Sequence, residues 1–188
     1  MPHAWQSASE IPPRGYVCGY CSHRVGPSKG FSTGSQPQVF TYICSYCNKP
    51  TFFDSDGKQY PGVPEGAPVE NVPAEIRALY DEARQCASVG SYTSAVLTCR
   101  KILMHIAVQK GAKPGDPFVS YVEYLASQGY IPPDGKVWVD YIRQKGNEAN
   151  HEIKVMDQQD ARGLIAFVEM LLKLIYEFPR KVPSTGAS

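Results

Sequence analysis

Two hydrophobic patterns divide the chain. Residues 16–53 place aromatic and β-branched residues in short runs that end at turn-forming residues, which predicts β-strands on either side of a Gly/Ser/Pro/Gln loop at 26–38. From Pro73 onward apolar residues recur at intervals of three and four, which predicts amphipathic α-helices. Residues 54–72 hold three Pro and three Gly, so we predict a semi-rigid linker there. Residues 1–15 and 180–188 are predicted to be tails.

Five helices are predicted between residues 73 and 179, from capping and stop signals. The first is predicted to run from Pro73 to Gly90, the second from Ser91 to Gly111 and the third from Asp116 to Gly129. The fourth begins at Val137 and ends inside a polar segment, and the fifth runs from Asp157 to Phe178. Eleven of the thirteen residues 164–176 are apolar. We therefore expect the fifth helix to be buried on nearly every side, in the core, in a dimer interface, or in both.

Charge and overall hydrophobicity change this picture little. Nineteen Lys and Arg face eighteen Asp and Glu, so any nucleic-acid binding would have to come from a local patch. No stretch reaches the roughly 20 apolar residues that span a bilayer, and the N-terminus lacks a basic region followed by an apolar core. We expect a cytoplasmic protein with no membrane association.

Four of the six cysteines form two C-x2-C pairs separated by 22 residues. Cys18, Cys21, Cys44 and Cys47 can supply four thiolates from two facing turns, which is the closed tetrahedral set that structural zinc prefers. We predict one structural Zn²⁺ at this site. Two disulfides are the alternative, and the apparent intracellular setting disfavours them. His23 could compete as a ligand, although four cysteines already complete the shell.

A polar segment follows the fourth predicted helix and carries the candidate chemistry. Arg143, Asn147, Asn150 and His151 can line one side of a helix, and Arg100 projects from the second helix. An imidazole with a guanidinium and carboxamides nearby suits acid–base chemistry on a phosphodiester. The same side chains would also suit a structural hydrogen-bond network, a binding surface or a solvated helix end. The residues leave these alternatives open.

Four segments together resemble the bacterial family known as domain of unknown function 4145 (DUF4145). They are PAEIRALYDEA at 73–83, SYTSAVLTCR at 91–100, IRQKGNEANHE at 142–152 and DARGLIAFVEMLLKLIY at 160–176. The resemblance implies an all-α bundle similar to HEPN domains, which commonly dimerise and whose active members cut RNA with an Arg and a His separated by four to six residues. A zinc ribbon ahead of the domain fits the family, whose members also occur attached to restriction enzymes and other phage-defence proteins.

Carried onto this chain, the HEPN histidine corresponds to His151. The window for the arginine holds only Lys145 as a cation, and seven residues separate Arg143 from His151. Met104 stands where many relatives are expected to have an acidic residue. The resemblance therefore favours a binding or regulatory module over a ribonuclease.

The expected fold class is mainly α, with a small β zinc ribbon at 16–53 followed by a five-helix HEPN-like bundle at 73–179. The expected function is non-enzymatic recognition of nucleic acid or a partner protein in a defence system, by a homodimer. The ligand-binding residues would be Arg143, Asn147, Asn150, His151 and Arg100. The alternative is a metal-independent ribonuclease whose catalytic residues would be His151, Arg143 and Asn147.

Overall fold

The chain divides into two compact units, Met1–Pro64 and Glu65–Ser188. The computed structural model describes residues 5–34, 36–132, 140–141 and 155–181. The first unit is built from β-strands and the second from helices. The predicted fold class, a mainly α chain with a five-helix bundle, is wrong, because the chain is a mixed α/β protein.

Seven short β-strands form the first unit. They are β1 (Ser9–Glu10), β2 (Tyr16–Val17), β3 (Arg24–Val25), β4 (Lys29–Ser32), β5 (Phe40–Ile43), β6 (Pro50–Phe53) and β7 (Gln59–Tyr60). Five of them make an antiparallel sheet in the order β1-β4-β5-β6-β7, and β2 pairs with β3 in a separate two-stranded sheet.

One face of the five-stranded sheet is buried. Tyr42 lies opposite Gly30 on one side and Thr51 on the other, and all three are buried. The ring of Tyr42 lies 5.8 Å from that of Phe53. The ring of Tyr16, which belongs to the two-stranded sheet, lies 5.2 Å from that of Phe53. Because side chains alternate along a strand, their neighbours in sequence point to the opposite face.

The fold class was mispredicted because three strands lie in segments whose composition indicated a tail, a loop or a linker. β1 lies within residues 1–15, β4 within the Gly/Ser/Pro-rich residues 26–38, and β7 within residues 54–72. Strands of two to four residues are too short to show a period of two. Their hydrogen-bond partners lie on other strands, and a local sequence window does not contain that information.

Helices form the second unit. They are α1 (Ala74–Ser88), α2 (Tyr92–Gln109), α3 (Phe118–Ser127), α4 (Gln158–Leu172), a π-helical turn (Lys173–Glu177) and a short α5 (Phe178–Lys181). Among the described residues, four helices have ten residues or more, instead of the five predicted. Most of the predicted fourth helix falls outside the described residues, and of it only Asp140 and Tyr141 are described, both helical.

The central helix of this unit is α2, which packs against α1, α3 and α4. Its inward face carries Cys99, Ile102, Leu103 and Ile106, all fully buried. These residues follow the predicted stripe, so the spacing of three and four located the core face correctly.

The helices begin at or within one residue of their predicted starts, but the predicted side-chain caps are not all formed. Asp157 caps α4 through its side chain, and Asp160 completes a reciprocal capping box. Ser91 occupies the N-cap of α2 but makes no side-chain cap hydrogen bond. The N-cap of α3 is Pro117, one residue after the predicted Asp116.

The apolar helix is largely buried within one chain. Its buried residues include Leu164, Ile165, Phe167, Val168, Leu171 and Leu172. Beyond α4 the apolar residues reach the surface, where Leu174 is 37% exposed and Phe178 is 48% exposed. The homodimer stays a prediction, and Leu174 and Phe178 are exposed residues through which this end of the apolar helix could take part in it.

Residues 65–72, here called the strap, lie against the helices of the second unit. The guanidinium of buried Arg84 donates to the carbonyl oxygens of Glu65 and Gly66, each at 2.9 Å. Arg162 donates two hydrogen bonds, of 2.8 and 3.1 Å, to the Glu65 carboxylate. The strap is therefore bound through both its backbone and its side chains.

Two glutamates complete the attachment. Glu169 accepts a hydrogen bond of 2.8 Å from the Ala67 backbone N–H and pairs with Lys173. Glu177 accepts one of 3.0 Å from the Glu70 backbone N–H. Burial opposes ionisation of Glu169, but the Lys173 ammonium and the Ala67 N–H outweigh it and lower the pKa of that carboxyl.

Candidate metal centre

The first C-x2-C pair lies on a tight loop between β2 and β3. The Cys18 backbone N–H donates to the His23 carbonyl at 2.9 Å, and the Ser22 N–H donates back to the Cys18 carbonyl at 2.8 Å. Ser22 adopts a left-handed conformation, with φ of 59°. This turn brings the Cys21 side chain back beside that of Cys18.

The second pair repeats the same loop between β5 and β6. The Cys44 N–H donates to the Lys49 carbonyl at 3.0 Å, and the Asn48 N–H donates to the Cys44 carbonyl at 2.9 Å. Asn48 has φ of 58°, and it stands at the position equivalent to Ser22 in the first loop. Asn tolerates this conformation better than most residues. Two equivalent loops thus present two cysteines each.

The four sulfur atoms converge. The Sγ atoms of Cys18 and Cys47 are 3.7 Å apart, and those of Cys21 and Cys44 are 3.8 Å apart. All four lie within 4.8 Å of one another. The predicted ligand set is therefore brought together, and the four cysteines could hold a metal ion.

The protein environment resists ionisation of some of these thiols and assists others. Burial and the adjacent thiols raise the pKa of Cys21 to about 12. Burial also opposes ionisation of Cys44, but the backbone N–H groups of Cys47 and Tyr46 lower its pKa. Four thiolates this close repel one another, so a bound cation would be what keeps all four ionised.

His23 lies beside the cysteine cluster and takes no place in it. Its Nδ1 lies 2.9 Å from the Cys21 carbonyl, where an Nδ1–H would donate. Its ring stacks on that of Tyr46, with centroids 3.5 Å apart. The histidine thus joins the two cysteine loops through a ring contact.

This small unit carries exposed aromatic rings, which the sequence pattern did not mark as functional. They are Trp5, Tyr20, Tyr46, Phe52 and Tyr60. Lys49 lies over the Tyr20 ring at 4.8 Å and Lys58 over the Tyr60 ring at 5.1 Å. The signal that could have found them is the number of aromatic residues near the cysteines, which exceeds what so small a core can bury.

A family comparison identifies the helical part. The model of a family described as a domain of unknown function (DUF4145) matches residues 81–186, more than half of the chain. The chain belongs to the DUF4145 family. The predicted family is thereby confirmed, and the cysteine cluster lies ahead of the DUF4145 match.

No curated protein and no solved structure matches the chain. Among the described helices of this DUF4145 protein, none is both long enough and apolar enough to cross a bilayer.

The polar residues that carried the family resemblance lie within the DUF4145 match. Arg143, Asn147, Asn150 and His151 fall outside the described residues, so their roles stay predictions. Arg100 is described: it is only 5% exposed, and its guanidinium lies 4.4 Å from the centroid of the Phe118 ring. Burial lowers its pKa.

Arg100 also lines an open groove of about 450 Å³ on the surface of α2, together with Leu97, Lys101, Met104 and His105. Met104, predicted to mark a departure from the family pattern, is thus a groove residue.

Proposed function

We propose that this DUF4145 protein is a zinc-binding module that recognises nucleic acid without catalysing a reaction. The observation that carries the proposal is the first unit itself, in which a closed four-thiol cluster supports a surface rich in exposed aromatic rings and lysines. The zinc ribbon, the HEPN-like character of the helical unit and a role in phage defence belong to the proposal as predictions.

The sulfur geometry supports zinc. Zinc–thiolate bonds are about 2.3 Å long, so neighbouring sulfurs of a regular tetrahedron lie about 3.8 Å apart. Two of the four cross-loop pairs lie at 3.7 and 3.8 Å, and all four sulfurs lie within 4.8 Å of one another. Four thiolates leave no open coordination position, so the ion would have a structural role. It would hold together a unit too small to be stabilised by its core alone.

The zinc assignment is tested by elemental analysis of the purified chain. We expect one zinc per chain, and we expect Cys44→Ser to lose it. The matched control is Cys86→Ser, because Cys86 lies on α1 and outside the cluster. A Cys44→Ser variant that kept both its metal and the protease resistance of the first unit would show that the site is wrongly assigned.

Nucleic acid is the favoured ligand because of where the exposed rings lie. Six exposed aromatic side chains occur in the described residues, and five belong to the first unit. Residues 1–64 carry five Lys and Arg against three Asp and Glu. Rings that stack on bases, with cations beside them that contact phosphates, are how proteins bind single strands with little sequence preference.

Binding is tested by fluorescence anisotropy with fluorescein-labelled oligonucleotides at low and moderate salt. We expect affinity to fall as salt rises, because phosphate contacts release counterions. We also expect a chelator to abolish binding by unfolding the first unit. A metal-loaded chain that bound neither single-stranded nor duplex nucleic acid would overturn the proposal and leave a protein partner as the class to test.

The ribonuclease alternative rests on His151 with Arg143 and Asn147, which lie outside the described residues. We expect no metal-independent cleavage of labelled RNA by the parent chain. Cleavage that disappears in both Arg143→Ala and His151→Ala would replace the present proposal with a catalytic one.

A further inference from the structure

The outer face of the five-stranded sheet carries a row of side chains across four strands. Phe31 on β4 lies opposite Thr41 on β5, Thr41 lies opposite Phe52 on β6, and Phe52 lies opposite Tyr60 on β7. Phe52 is 38% and Tyr60 39% exposed. We call Phe31, Thr41, Phe52 and Tyr60 the aromatic row. Its rings are on the face opposite the buried core, so core packing does not account for them.

The row presents two ring pairs. The rings of Phe52 and Tyr60 have centroids 6.1 Å apart and are inclined by 33°. At the other end, Trp5 lies edge-on to Phe31 at 6.2 Å. Thr41 separates the pairs, so Phe31 and Phe52 are two strand spacings apart, or about 10 Å. The face therefore offers two apolar surfaces with a small polar gap between them.

Cations flank both pairs. Lys58 lies over the Tyr60 ring at 5.1 Å, and Lys29 precedes Phe31 by two residues and so shares its face of β4. The only acid among the described strands of this face is Glu10, opposite Lys29 at the β1 edge. Asp54 and Asp56 lie in the β6–β7 turn, where the Asp54 carboxylate accepts hydrogen bonds from the backbone N–H groups of Asp56 and Lys58. The cations nearest the rings, Lys58 and Lys29, are the groups that could contact phosphate.

We propose that the aromatic row binds single-stranded nucleic acid, with bases stacking on the Phe52–Tyr60 and Trp5–Phe31 pairs and phosphates near Lys58 and Lys29. This inference rests on the proposed function and names its surface. A single strand fits because its bases are free to stack on the rings, whereas duplex bases are already stacked on each other. A partner protein strand would add at the β1 or β7 edge, which leaves the rings of the face unused.

The test uses the full metal-loaded chain and fluorescein-labelled oligo(U) and oligo(dT) of about 12 nucleotides, a length within the site sizes of such proteins. Phe52→Leu and Tyr60→Leu keep an apolar side chain and remove the ring. Phe178→Leu is the matched control, because Phe178 is 48% exposed and lies on α5 of the helical unit, outside the row. Zinc content and circular dichroism check that each variant is folded.

We expect each row variant to weaken binding by at least about fivefold, the low end of what one stacked base contributes. The Phe178→Leu control should change affinity by less than about twofold. Should a row variant fail to fold, Lys58→Gln serves instead. Losing one phosphate contact should reduce the slope of the logarithm of affinity against the logarithm of salt concentration by about one.

A second readout places the ligand on the row directly. The chain has two tryptophans, Trp5 and Trp138, so in a Trp138→Phe background Trp5 is the sole indole reporter. We expect oligo(dT) to quench its fluorescence and the duplex of the same length to leave it nearly unchanged.

The outcomes separate the two proposals. If the parent binds oligonucleotides but Phe52→Leu and Tyr60→Leu bind equally well, the row is the wrong surface and the proposed function stands. Equal binding of duplex and single strand, without quenching of Trp5, overturns the row in the same way. If the parent binds no nucleic acid, both proposals fail.

Discussion

The four cysteines owe their positions to two backbone loops of the same kind, and this is why they could be predicted. The C-x2-C spacing largely determines the local turn, so the ligand set follows from the sequence. The aromatic row could not be predicted in this way. Phe31 and Tyr60 share a face only because of the register of β4 to β7, and that register is set by contacts distant in sequence.

A close backbone approach makes Gly19 irreplaceable in the first cysteine loop. A Cβ at this position would meet the carbonyl oxygens of Pro61 and Gly62, the second at 2.5 Å. We expect Gly19→Ala to destabilise the first unit by about 1–3 kcal/mol, since the loop must move to relieve the overlap. This loss of stability is measured by chemical denaturation, with the protease resistance of the first unit reporting how much of it is folded. Gly15→Ala is the control, because a Cβ at Gly15 meets nothing within 4 Å; equal losses in the two variants would contradict this account.

At the scale of elements, helix position was predictable, whereas strand position was predictable only beside the cysteines, where β2, β5 and β6 lie. The sequence located α1, α2 and α4 because apolar periodicity and capping residues are both local signals. It missed β1 and β7 and assigned the segment around β4 to a loop, because two- and four-residue strands depend on their neighbours. The strap was predicted as part of a linker from its Pro and Gly content, although its backbone groups are bonded to the helical unit.

The α4 capping box predicts a measurable stability contribution. Asp157→Ala removes the acceptor for the Asp160 N–H, and we expect a loss of about 0.5–2 kcal/mol in the free energy of unfolding. Chemical denaturation followed by helical circular dichroism gives the value. Asp157→Ser keeps a capping oxygen and should lose much less; if serine and alanine cost the same, the cap contributes nothing.

The contact of Glu169 with the strap predicts a pH dependence. Its folded pKa lies below the ordinary value, so its contribution to stability is present above the unfolded pKa of about 4.3 and is lost as pH falls through the folded pKa. We expect Glu169→Gln to be less stable than the parent at neutral pH and the gap to narrow below about pH 4.3. Denaturation midpoints across this range measure it.

The control for the pH experiment is Glu82→Gln, on the exposed side of α1. Denaturation midpoints of Glu82→Gln should fall with decreasing pH in the same way as those of the parent. A gap for Glu169→Gln that is constant from neutral to acid pH would show that the charge of the carboxylate is not what holds the strap.

At the scale of the whole molecule, the two units have different sources of stability. The first unit has a small core of six buried residues, two of them cysteines of the cluster, whereas the second has a continuous core across α1 to α4. The sequence predicted this contrast from composition. It could not predict how much of the first unit is β-sheet, since that depends on pairing across the cysteine loops.

Removing the metal should therefore affect one unit and spare the other. With excess chelator we expect protease cleavage within residues 1–64 and retention of most helical circular dichroism, because the four cysteines that could hold a metal ion all lie in the first unit and metal binding is coupled to folding. Cleavage sites mapped by mass spectrometry check this. Simultaneous loss of the helical signal would show that the units fold as one.

The predicted homodimer is tested by sedimentation at micromolar concentration. The exposed strip that includes Leu174 and Phe178 is where a partner copy would bury apolar surface. We expect Leu174→Glu to shift the parent from dimer to monomer, whereas Val89→Glu, at an exposed apolar residue just after α1, should not. A parent chain that sediments as a monomer would contradict the homodimer prediction.

The strap determines where a fragment of the helical unit should begin if that unit is expressed alone. The predicted domain begins at Pro73, but a fragment begun there lacks the carbonyls that Arg84 and Tyr80 use. The family match begins at residue 81, and a fragment begun at that residue also lacks Tyr80 and the first half of α1. It would also uncover apolar surface that Val69 and Val72 now cover. Such a fragment would tend to aggregate, whereas one beginning at Glu65 would keep the packing and the solubility that goes with it.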